Sequence, residues 1–272
     1  MKHRTKLIAG LLPALVLGSA NAWGGMTFSG DVFVIDSTLE NFGTDLVNGL
    51  GETLEAPKDI EVDGELYGAT LGVNGLWKWN VELTASYREG DFSGAIPLTS
   101  PTENFENSLE MDRSEIELKA YIKPESWTFF YAGFSYQYIE QDWTETLPDE
   151  KTWTATGTAV RTYEDSLHNY MVEGALFTEL MKTNTKFSLF PRAVFAIGLA
   201  KFGEEGTTNE NIDLDDWYTT YRVDVTLTLD YKIGEKNTLY VEGGYRYASI
   251  WDSEDVSGIT YDGPYFRVGM RW

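Results

Sequence analysis

The last eight residues, Tyr265-Phe266-Arg267-Val268-Gly269-Met270-Arg271-Trp272, alternate strictly between apolar and polar or small side chains. As a strand, they put Phe266, Val268, Met270 and Trp272 on one face and Tyr265, Arg267, Gly269 and Arg271 on the other. An apolar row of that length needs an apolar neighbour, either a protein core or a bilayer. Free ends of soluble domains usually fray, so an amphipathic strand flush with the terminus favours the second.

The same period recurs along the chain. Trp79 to Tyr87 alternates strictly, and further strands are expected at 111–122, 127–138, 169–181, 186–200, 218–232, 238–250 and 264–272. Two weaker ones at 26–35 and 65–74 bring the total to ten, and their weakness leaves eight or twelve open. The connections are short at 75–78, 123–126, 182–184 and 233–237, each with a lysine and turn-forming residues. They are long at 36–63, 88–110, 139–168, 201–217 and 251–262. An even strand number with alternating short and long connections fits an all-β, antiparallel, up-and-down transmembrane barrel. Its short turns would face the periplasm and its long loops the outside.

The amino terminus agrees. Lys2, Arg4 and Lys6 precede the apolar stretch Leu7 to Leu17, and Ala20-Asn21-Ala22 has the small-x-small form of a cleavage site. Residues 1–22 therefore read as a signal peptide and 23–272 as the barrel domain. The absence of cysteine excludes disulfides, cysteine-held metal and thiol catalysis.

The formal charge is −22, or −25 without the three cations of the leader. Of the 43 acidic residues, 30 fall in the five long connections, against Lys58, Arg88, Lys151, Arg161 and Lys201. Such a rim repels nucleic acid and attracts cations, including divalent ions that bridge to anionic lipopolysaccharide. A secreted β-sandwich is the rival fold. The outward rows Phe187, Leu189, Pro191, Ala193, Phe195, Ile197, Leu199 and Val223, Val225, Leu227, Leu229, Tyr231 suit lipid better.

Literal alternation turns Asp31, Glu82, Glu115, Glu117, Glu173, Glu179, Asp224, Asp230 and Glu242 inward, with Arg113, Lys119, Lys186, Arg192, Arg222, Arg246, Arg267 and Arg271. Trp127, Phe129, Tyr131, Tyr240 and Tyr265 add inward bulk. Ten strands enclose little space, so these charges need partners and the lumen reads as a packed salt-bridge network.

The terminal strand resembles the closing strand of Gram-negative outer-membrane barrels, which end in an aromatic residue read by the barrel-assembly machinery. The usual residue there is Phe, and Trp272 stands in its place. Ile139-Glu140-Gln141-Asp142-Trp143, Lys151-Thr152-Trp153-Thr154 and Asn237 to Gly243 are similar to segments of the omptins, ten-stranded outer-membrane proteases. That resemblance implies water activated between an acidic pair, here Glu140 and Asp142, and an Asp-His pair. In omptins the acidic pair lies on the second outer loop, whereas here it falls on the third. Their later Asp-x-His aligns with 213–217, which holds no histidine, so Asp165 and His168 would have to serve.

His168 is the only histidine beyond the leader, so any proton-transfer chemistry by imidazole must use it. Glu210, Asp213, Asp215 and Asp216 offer oxygen ligands for weakly held Ca²⁺ without the spacing of an EF-hand. No cofactor motif is present. Three readings stand: surface binding or envelope integrity through cations, lipopolysaccharide or an external ligand; an omptin-like surface hydrolase; and a narrow ion or small-solute channel.

Overall fold

A computed structural model describes residues 25–40, 59–76, 80–99, 104–124, 129–147, 159–182, 186–202, 217–234, 237–251 and 258–272, with 46–47, 53–55 and 57. Ten long strands follow one another: β1 Gly25–Glu40, β2 Ile60–Leu76, β3 Val81–Thr99, β4 Asn104–Ile122, β5 Phe130–Leu147, β6 Ala159–Phe177, β7 Phe187–Phe202, β8 Tyr218–Lys232, β9 Thr238–Trp251 and β10 Gly258–Arg271. Each pairs antiparallel with the next, and β10 pairs with β1, which closes the ring. The leader lies outside the described residues. No described helix is long and apolar enough to cross a membrane.

The stagger follows from the register. One row of paired residues climbs from Val32 through Tyr67, Glu89, Ser114 and Glu140 to Ser166. In the other direction it passes Phe266, Gly243, Leu227 and Pro191 and reaches β6 again at Thr178. The row thus returns twelve residues lower on the same strand. Ten strands with that shear tilt by about 40° and enclose a lumen that side chains can fill.

Alternation then decides what each face meets. Outward Tyr221, Val223, Val225, Leu227, Leu229 and Tyr231 on β8 are largely exposed, as are Phe195, Ile197 and Leu199 on β7 and Phe266, Val268, Met270 and Trp272 at the end of the chain. The run from Tyr221 to Tyr231, at about 3.3 Å per residue and this tilt, spans about 25 Å along the barrel axis. That is the height of a lipid-facing belt, and tyrosines mark its upper edge at Tyr67, Tyr87, Tyr138, Tyr170 and Tyr247.

Above this edge the polarity of both faces reverses. On β1 the outward series Phe28, Gly30, Val32, Val34 gives way to Asp36, and on β2 Val73, Leu71, Ala69, Tyr67 gives way to Glu65, Asp63 and Glu61. Inside, the charged residues give way to Ile35, Leu39, Ile60, Val62, Phe92, Ile96, Leu98, Leu109, Met111, Trp143, Phe202 and Ile250, all buried in one cluster. The outer ends of β1 to β5 are therefore strands with a mostly apolar inside and a wet outside. Two close approaches depend on glycine: a Cβ at Gly64 would strike the Phe92 ring, and one at Gly68 the Arg88 side chain.

The reversal corrects the expected boundaries. Residues 36–40, 60–63, 88–99, 104–110, 139–147 and 159–168, read from the sequence as loop, continue the strands. Arg88, assigned to an outer loop, points into the lumen with 1% exposure. Phe129, expected inside, is 65% exposed. Glu82, Glu179 and Lys186 lie exposed at the short-turn end instead of in the interior. Trp127 lies outside the described residues.

Candidate functional site

Two features could carry function: the lumen and the outward wall above the belt. In the lumen, Arg222 donates to Glu117 at 2.6 Å and also pairs with Glu173 and, at 3.3 Å, with Asp224. Arg246 Nε holds Asp224 at 2.8 Å, and Lys119 Nζ holds Glu117 at 3.0 Å. Arg267 bridges Asp31 at 2.7 Å and Glu242 at 2.9 Å. Arg88 sits among Glu117, Asp31 and Glu115 at 3.4 to 3.6 Å and stacks on the Phe33 ring at 4.5 Å. Each guanidinium thus serves two or three carboxylates, as its planar fork allows. Tyr121 donates to Glu173, and Thr70 to Asp31 at 2.6 Å. The apolar cluster lies above this network and shares the interior there with the buried polar side chains of Ser37, Asn107 and Gln141.

The wall above the belt is tiled with carboxylates. Asp36 pairs directly with Asp262 on one side and with Asp63 on the other. A second row joins Asp91, Asp112, Asp142 and Glu164 across four strands, each directly opposite the next. Glu89 and Glu140 flank Ser114 in the row below. Like charges directly opposite in a sheet are destabilising, so these rows are a cost that the fold carries. The electrostatics follow. Partial burial pushes the Asp36 carboxyl above the ordinary range, and the Asp63 and Asp262 charges push it further. Partial burial likewise raises Asp112, helped by Asp91, Asp142 and Glu110. Glu140 is raised by partial burial and by Asp142 and Glu164.

The residues singled out for catalysis meet this geometry in part. Glu140, Asp142 and His168 all face outward on β5 and β6, where Glu140 pairs with Ser166, Asp142 with Glu164 and His168 with Tyr138. Asp165 sits on the inward side with Leu167 and Asn169, opposite Gln141. A water held between an acidic pair and an Asp-His pair needs all four groups on one face, and here the sheet separates Asp165 from the other three. His168 is held instead by Tyr136, whose hydroxyl lies 2.9 Å from Nδ1, and by the Tyr138 ring.

Glu210, Asp213, Asp215 and Asp216 lie outside the described residues. Among the described residues no three His, Asp or Glu side chains converge as a metal site. Sequence reading missed Arg88 and the carboxylate rows. The alternation Asp91-Phe92-Ser93 and Ile96-Pro97-Leu98 was the signal that could have revealed both.

No family model matches the sequence, and no curated protein matches it. Among solved structures the chain is similar to the outer membrane protease OmpT from Escherichia coli, at 11% identity over 92% of this chain and 96% of that one, with a TM-score of 0.45. It is similar to the translocator domain of the autotransporter NalP from Neisseria meningitidis, at 12% identity over 98% and 95% of the two chains, with a TM-score of 0.45. The outer membrane protein OprG from Pseudomonas aeruginosa matches at 10% identity over 89% and 94%, with a TM-score of 0.26. At these identities and TM-scores the likeness assigns this chain no role.

Proposed function

We propose that this chain is a non-catalytic, non-conducting outer-membrane barrel that serves envelope integrity. Its outward carboxylates would gather divalent cations at the level of lipid headgroups and, through them, tie down neighbouring lipopolysaccharide. One observation carries this reading: directly opposed acidic side chains form continuous rows just above the lipid belt. Opposed like charges persist where something outside the chain relieves them, and at that height the abundant groups are lipid phosphates and their counterions.

The test is thermal unfolding of the refolded barrel with and without calcium. Calcium is expected to raise the unfolding temperature, chelation to reverse it, and Asp112→Asn with Asp142→Asn to blunt it. An unchanged temperature in the wild type would remove the cation reading. If calcium instead binds through Glu210, Asp213, Asp215 and Asp216, deleting 205–216 abolishes the effect and the wall substitutions do not.

A further inference from the structure

We propose that the seam between β6 and β7 binds one phosphate-bearing lipid of the outer leaflet, with an acyl chain in an apolar groove and the phosphate on Lys201 and His168. The inference rests on the membrane placement proposed above. The groove, about 380 Å³, is lined on the lipid side by Phe134, Tyr170, Val172, Ile197, Leu199 and Trp217. Gly174 stands opposite Phe195 in the register, so β6 offers no side chain of its own at the lower end, where the Phe130 ring packs beside it. The Tyr170 and Trp217 rings approach to 6.0 Å at the upper end, at the height where aromatic side chains meet headgroups.

Charge selects the occupant. Among the described residues, Lys201 is the only lysine or arginine that faces outward above the belt. It is paired in register with His168, so both project over the top of the groove. When Tyr136 donates to Nδ1 of His168, Nε2 keeps its hydrogen and is a donor even in the neutral ring. The carboxylate rows run from β10 through β1 to β6 and repel a phosphate directly, leaving this seam as the place where an anionic headgroup meets a cation first. An ammonium–phosphate contact is charge-assisted and gains from partial shielding by the flanking aromatic rings.

The experiment is native mass spectrometry of the full barrel in detergent with bisphosphorylated lipid A, with the same lipid after phosphate removal, and with inorganic phosphate as competitor. One phosphorylated lipid per barrel is expected, with affinity at least about tenfold lower for Lys201→Glu, for the groove-filling Val172→Trp and for the dephosphorylated lipid. Both substitutions face outward, and the gel shift of unboiled barrel verifies folding, with Lys201→Gln as the milder charge variant. Equal binding by the lysine variants or by the dephosphorylated lipid overturns the phosphate contact. Displacement by millimolar inorganic phosphate overturns the lipid as its source. A wild type that inserts into vesicles yet binds no phosphorylated lipid overturns the seam alone. One that stays out of vesicles overturns the membrane placement beneath it.

Discussion

Arg88 and Arg222 show what a single side chain does in this lumen. Each is 1% exposed, and each is surrounded by carboxylates contributed by strands far apart in sequence. Removing one leaves buried anions without a partner. Breaking a buried pair in this way costs about 3 to 5 kcal/mol. Arg222→Ala is therefore expected to lower the urea midpoint of the refolded barrel sharply, and Arg222→Lys to recover only part of it, because one ammonium cannot replace a fork serving Glu117 and Glu173. Urea titration followed by tryptophan fluorescence reads both, and a midpoint unmoved by Arg222→Ala would mean that the network contributes nothing net. Arg222 was readable from period two alone. Arg88 was not, because it falls just past the point where the surrounding medium changes.

At the level of the strand, β3 and β4 carry the lesson. Their lower halves, with Ala85, Leu83, Leu118 and Ile122 outward, were legible because apolar-out alternation is what lipid requires. Their upper halves alternate with the sign reversed, and outward acidic residues such as Glu89, Asp91, Glu110 and Asp112 read as loop. Periodicity identifies two faces without saying which is wet, and nothing in the local sequence marks the height of the membrane surface. The rows at these upper ends also predict a pH response. A carboxyl raised in the folded state binds its proton more tightly there than in the unfolded chain, so stability falls as pH rises from the ordinary carboxylate range through the raised pKa. Amide exchange in 89–99 and 104–114 should accordingly slow as pH falls through that window, after correction for intrinsic rates. Asp112→Asn should flatten the dependence, and a slope that survives the substitution would mean that the Asp91–Asp112–Asp142 row is not its source.

For the molecule as a whole, the layered interior makes a plain statement about transport. A dense network of ion pairs at the membrane level and a mostly apolar cluster above it narrow the route for an ion. The intact barrel is expected to give no steady current in a planar bilayer, and a reproducible single-channel conductance would restore the channel reading. The match between belt height and bilayer thickness predicts a preference as well. Refolding yield should peak in bilayers whose hydrocarbon core is about 25 Å and decline in thicker ones, as mismatch is taken up by the lipid. Closure, strand number and belt were foreseeable because an amphipathic period of two with alternating short and long connections has few other solutions. The apolar layer was not foreseeable, since it depends on which distant strands bring their apolar halves to the same level.

The sign reversal at the tyrosine edge also fixes where the molecule can sit. A barrel with uniform walls could ride up and down in the bilayer with little to oppose it. Here a downward shift by one pleat would carry Asp36, Glu65 and Glu89 into hydrocarbon, and an upward shift would lift Val34, Ile116 and Leu199 into water. Both displacements are resisted along the arc from β10 through β1 to β6, so the collar there acts as a flange. Whatever the outer segments present to the surroundings is held at a constant height above the membrane.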